Sequence, residues 1–79
     1  MRPATRLVVV PPWGERLYDR EEWRDALVVV SSGAIELEGE HGVRHRFEKP
    51  AFLVLRNPRL RRLVNPAWLP ATLLAITRC

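Results

Sequence analysis

The stretch Ala34-Ile-Glu-Leu-Glu-Gly-Glu-His-Gly-Val-Arg-His-Arg-Phe47 decides the fold class. Apolar and charged residues alternate strictly before its centre, with Ile35 and Leu37 on one face and Glu36 and Glu38 on the other. That is the period of a half-buried strand. Glu40-His41-Gly42 then reads as a three-residue hairpin loop, with Gly42 in the left-handed position of a type I turn with a G1 bulge. This register sets Leu37 opposite His45 and Ile35 opposite Phe47, and on the other side Glu38 opposite Arg44 and Glu36 opposite Arg46. A two-residue loop would oppose Leu37 to Arg44 and mix the faces, which the alternation forbids. The two opposed charge pairs lie on the solvent side, where each is worth a few tenths of a kcal/mol.

Working outward, Leu7 to Val10 is a short β-branched strand stopped by Pro11-Pro12. Trp13 to Asp25 is polar with interspersed aromatics and reads as a loop with one helical turn. Leu27 to Val30 is apolar and ends at Ser31-Ser32-Gly33, and Phe52 to Leu55 is another apolar strand. Arg56 to Arg62 reads as a basic loop with Asn57-Pro58 as its turn signal. Leu63-Val64 resumes a strand, Asn65-Pro66 turns the chain, and Leu73 to Ile76 is the last strand. Many short strands with frequent turns predict an all-β, antiparallel sandwich or barrel. No internal repeat or linker divides residues 1–79, so one domain is expected.

Composition sets limits on function. Hydrophobic residues make up 47% and charged residues 28%, ordinary for a folded chain. No apolar run reaches the roughly 18 residues of a membrane span. Leu7 to Val10 is too short for a secretory leader, and the single cysteine, Cys79, offers no internal disulfide, so a cytoplasmic location is expected. The net charge of +4 comes almost wholly from arginine, Lys49 being the sole lysine. A basic balance draws anionic partners, but no RNP, KH or helix-turn-helix pattern supports nucleic-acid binding. No Ser/His/Asp or Cys/His constellation and no glycine-rich phosphate loop is present.

The order of Gly14, Gly33 and Asn65 along the strands, with the phrase from Ser32 to Phe47, resembles the signature of small bacterial cupins. The resemblance spans roughly residues 13 to 78 and implies a small jelly-roll barrel. In that family the first motif runs Gly, His-x-His, Glu, Gly. Here Gly14 and Gly33 fall on the glycines, while Arg20 and Glu22 stand at the two histidines and Ala26 at the glutamate. In the second motif Asn65 matches the final Asn, and Pro50, Arg56, Pro58 and Arg61 replace the other four residues. Of the positions that would ligate a metal only Glu22 can coordinate, and two arginines there repel a cation. A metal-free protein with no cofactor is therefore expected.

Candidate site residues follow. His45 shares a face with Leu37 and Phe47 and is expected to point into the barrel, where an imidazole suits acid–base work. The bland alternative is a core histidine. Arg20, Glu22 and Arg61 are expected around the barrel mouth, where arginines can hold a carboxylate or phosphate. The alternative is a closed salt bridge between Glu22 and one of them. Trp13, Tyr18, Trp23 and Trp68 could wall a small-molecule site, cap the barrel or fill an interface. Three functions remain open: a small-molecule-binding, accessory or regulatory protein; a metal-independent epimerase- or isomerase-type enzyme using His45 with an Arg anion anchor; and a basic nucleic-acid-binding β-barrel. A homodimer is expected, because the apolar first strand carries nothing to protect it as a free edge, with Trp13 or Trp68 as an anchor; the alternative is a monomer whose first strand pairs internally with the last.

Overall fold

The computed structural model describes residues 3–78; Cys79, the single cysteine, lies outside them. Eight strands form: β1 Pro3–Val10, β2 Glu15–Leu17, β3 Ala26–Ser32, β4 Ala34–Gly39, β5 Arg44–Glu48, β6 Ala51–Leu53, β7 Leu60–Val64 and β8 Ala71–Arg78. They make two four-stranded antiparallel sheets, ordered β1-β8-β3-β6 and β2-β7-β4-β5. The pairs β1–β8, β2–β7, β3–β6 and β4–β5 are those of one long hairpin folded back on itself. Its innermost turn is the 3-10 turn Glu40–Gly42.

The register around that turn is the one the alternation dictates: Ile35 pairs with Phe47, Leu37 with His45 and Glu38 with Arg44. The turn itself differs from a type I turn, since both His41 (φ 68) and Gly42 (φ 74) are left-handed. Glu36 faces Arg46 as expected, but of the two expected ion pairs only Glu38–Arg44 forms. Arg44 bonds Glu38 at 2.8 Å and reaches diagonally to Glu36 at 3.4 Å, while Arg46 turns along its own strand to Glu48 at 2.9 Å.

The core lies between the sheets. Val8, Val10, Val28, Val30, Leu53, Leu73 and Ala75 from the first sheet meet Ile35, Leu60 and Leu63 from the second, with Trp23 buried among them. Alternation along each strand sends these residues inward because successive side chains point to opposite faces.

Four expectations are corrected. The sheets do not close into a barrel: no ladder joins β5 to β6 among the described residues, and they connect through Lys49-Pro50, a cis peptide whose proline has no N–H to carry the pairing round the corner. Trp13 to Asp25 holds no helical turn; β2 pairs with β7 there, followed by turns over 20–25. The basic loop is shorter than expected, because Arg61 and Arg62 lie within β7, where Arg62 pairs with Leu17 on one side and Glu38 on the other. The first strand is likewise longer than its apolar run, pairing with β8 from Pro3↔Arg78 to Val10↔Ala71.

Two matched glycines have steric reasons. A Cβ on Gly33, which sits at φ 74, would meet the Pro70 carbonyl oxygen at 2.6 Å. A Cβ on Gly14 would meet Pro11 Cγ at 2.8 Å. Glycine alone admits both approaches.

Candidate functional site

The inner face of the β4–β5 hairpin carries Leu37, His45 and Phe47. Opposite it, β6 stops at Leu53, so the outer half of β5 has no strand facing it. The chain from Val54 to Leu60 runs past this gap and leaves a groove of about 360 Å³. Leu55 and Leu60 are its buried floor, Leu37, Phe47 and Val54 add apolar wall, and His41, His45, Asn57 and Arg59 bring polar groups to it. Tyr18 braces the floor by donating its hydroxyl hydrogen to the Leu55 carbonyl at 2.7 Å. A volume in this range, mostly apolar with a few polar groups, is what small-molecule sites have.

His45 is exposed on the groove wall rather than enclosed between closed sheets. The expectation of an interior histidine fails because β6 is too short to cover that end of β5. The other three candidates lie elsewhere. Arg20 lines a separate hollow with Glu21, Arg24, Asp25, Leu55 and Arg56. Arg61 is exposed on β7 and pairs with Glu40 at 3.2 Å. Glu22 is held by neither Arg20 nor Arg61, but by two arginines the sequence reading passed over. It accepts hydrogen bonds from Arg16 Nε at 3.0 Å, from Arg16 Nη2, and from Arg6 Nη1 at 3.1 Å. Arg6 also donates to the Glu22 backbone carbonyl at 3.0 Å and lies 5.2 Å above the Trp23 ring centre. The Arg16 hydrogen bond, reinforced by Arg6 and opposed by partial burial, holds the Glu22 carboxyl below its ordinary range. The same bond raises Arg16. This is a structural ion cluster spanning β1, β2 and the turn before β3.

The positions implied as metal sites do not fit one. Glu22 has both oxygens engaged by guanidinium groups, Ala26 has no donor, and Arg20 and Arg61 carry positive charge. Among the described residues no three His, Cys, Asp or Glu side chains come together as a metal-holding group.

The aromatic residues separate. Trp23 is core and its Nε1 has no hydrogen-bond partner. Tyr18 supports the groove. Trp13 and Trp68 are exposed, in neighbouring turns joined by the Trp13 N–H to the Ala67 carbonyl at 3.1 Å. They wall no part of the groove. Two larger hollows, of about 610 and 830 Å³, are lined by charges that largely pair with one another: Arg24 with Glu21 and Asp25, Arg61 with Glu40, Arg62 with Glu38. The apolar groove, whose polar groups are less committed, is the stronger site.

No family model matches the chain, and no curated protein matches it. Among the described residues no helix is long and apolar enough to cross a membrane.

Proposed function

We propose that this chain is a metal-free, cupin-like jelly roll that binds a small molecule in the groove between β5 and the Val54–Leu60 segment. The strand division 1-8-3-6 and 2-7-4-5 supports the jelly roll, which is built from eight strands in two such sheets. The observation that carries the binding role is the groove itself, an apolar hollow with His45 on its wall and Arg59 at its side. Glu40 is already engaged by Arg61, so Arg59 is the groove's cation among the described residues. The site therefore suits a small ligand with an apolar body and one carboxylate or phosphate, in a binding, accessory or regulatory protein. A cytoplasmic location belongs to the same proposal.

The co-location of His45 and Arg59 also supports a second reading: a metal-independent isomerase or epimerase in which His45 moves the proton and Arg59, rather than Arg61, anchors the anion. The nucleic-acid reading has weaker support, because Arg61 and Arg62 spend their charge on Glu40, Glu15 and Glu38.

A fragment screen by NMR, using small aromatic and aliphatic carboxylates and phosphates, tests the binding role. Shift changes at His45, Phe47, Val54 and Leu60 that disappear in Arg59→Ala support it. Binding confined to the Arg20–Arg56 hollow, or none at millimolar ligand, refutes it.

A further inference from the structure

The two outer faces of the sandwich are opposite in character. The outer face of the second sheet is a lattice of ion pairs: Arg62 with Glu15 and Glu38, Arg44 with Glu36 and Glu38, Arg46 with Glu48. Among the described residues the first sheet has no such lattice. Val8 and Val10 point inward, so Thr5, Leu7 and Val9 point outward along β1. The pairings carry this face across the sheet: Leu7 to Leu74 and Thr5 to Ile76 on β8, then Leu74 to Val29 and Ile76 to Leu27 on β3, then Val29 to Phe52 on β6. Leu7 is 62% exposed, Val9 51% and Phe52 68%. The result is a mostly apolar sheet face, bordered by Thr5 and Thr72, without a charged side chain among these residues. Such a patch on a small soluble domain marks a contact surface.

We infer that this face is the interface of a two-fold homodimer, the first sheets of two copies packing face to face. Two features select a second copy as the occupant. One is charge. A two-fold axis sets each residue near its own symmetry mate, so a self-complementary face must be uncharged near the axis. In a chain of net charge +4, this face meets that condition and the ion-paired face does not. The other is area. Strands of eight, eight, seven and three residues, at about 3.3 Å per residue and 4.8 Å between strands, cover roughly 400 Å² in plan. Projecting side chains raise the accessible area above this, so two copies bury about 1,000 Å² in total, the level a specific interface needs. The inference differs from edge pairing through β1, whose inner neighbour is already β8, and it does not depend on the groove.

Sedimentation equilibrium of the full chain, from low micromolar to near-millimolar concentration, tests it. The expected mass is twice 9.2 kDa. Phe52→Glu and Leu74→Glu, both on the outward face, are expected to raise the dissociation constant at least tenfold with an unchanged circular dichroism spectrum. Trp13→Ala with Trp68→Ala is expected to leave it unchanged. Should a charge variant fail to fold, dilution of the wild-type chain followed by NMR gives a second readout, with amide shifts expected to move at Leu7, Val9, Val29 and Leu74. A wild-type monomer throughout the range overturns the inference, and so does a monomer that floats with phosphatidylcholine vesicles, which would assign the face to lipid. A dimer that persists in both charge variants also overturns it, and would place the contact at the β1 edge.

Discussion

Asn65 and Gly14 lock together: the Asn65 backbone N–H donates to the Gly14 carbonyl at 2.8 Å. The Asn65 side chain extends that bond into a buried knot. Its Nδ2 donates to the carbonyls of Val10 at 3.1 Å, Pro11 at 3.1 Å and Leu69 at 2.7 Å, and its Oδ1 accepts from the Ala67 N–H at 3.0 Å. Three chain segments thereby meet at one end of the sandwich, where Trp13 and Trp68 project. Asn is required because only a side-chain amide offers donor and acceptor together at this reach.

Asn65→Ala keeps the backbone bond to Gly14 but removes the side-chain bonds, and leaves the Val10, Pro11 and Leu69 carbonyls unmatched. With each unmet buried group costing about 1–3 kcal/mol, the variant is expected to lose about 3 kcal/mol or more. Urea denaturation followed by tryptophan fluorescence measures it. A loss below about 1 kcal/mol would contradict the knot.

Gly33→Ala meets both obstacles at once, a left-handed φ of 74 and a Cβ 2.6 Å from the Pro70 carbonyl oxygen. A non-glycine residue held in that region costs about 1–3 kcal/mol before the clash is counted. The midpoint of thermal unfolding should fall by several degrees or more. Gly42→Ala, where no atom lies within 4 Å of the new Cβ, should cost less despite its similar φ.

Glu22 gives the pH dependence a sign. Its folded-state titration is lowered by Arg16 and Arg6, so its contribution is present above the unfolded carboxyl value of about 4.3. It is lost as pH falls through the lower folded value. Wild-type chain and Glu22→Gln, unfolded side by side from pH 7 to pH 2, should therefore differ most at neutral pH and converge in acid. A gap that widens in acid would show the cluster to be misassigned.

His45→Ala separates site from scaffold. His45 is exposed, and surface substitutions usually change stability by no more than about 0.5 kcal/mol. The variant should unfold like the wild-type chain yet bind carboxylate fragments in the groove at least tenfold more weakly. A loss of several kcal/mol would return His45 to the core histidine that the sequence also allowed.

The hairpin register was legible because a shift of one residue would have put Glu36 and Glu38 where Ile35 and Leu37 belong. The strand class was legible for the same reason: alternation and β-branched runs are local signals. Leu60 to Arg62 misled because a run of arginines reads as solvated loop. Only the ladder from Glu38 to Arg62 shows that their backbone is sheet. The site was hardest to see. Glu22 meets Arg6 and Arg16, and His45 and Arg59 line one groove, through segments far apart in the chain.

Sequence alone therefore determined the strand periods and the place and register of the innermost turn, since side-chain alternation acts within a few residues; the need for glycine at Gly33 and asparagine at Asn65 came from distant contacts with Pro70, Val10 and Pro11. Tertiary structure alone decided which arginine pairs with which carboxylate, that His45 faces a groove rather than a closed interior, and that Leu7, Val9, Val29, Phe52 and Leu74 gather on one outward sheet face. Those outcomes depend on where edge strands stop and which strands become neighbours, a competition among long-range pairings that no local pattern encodes.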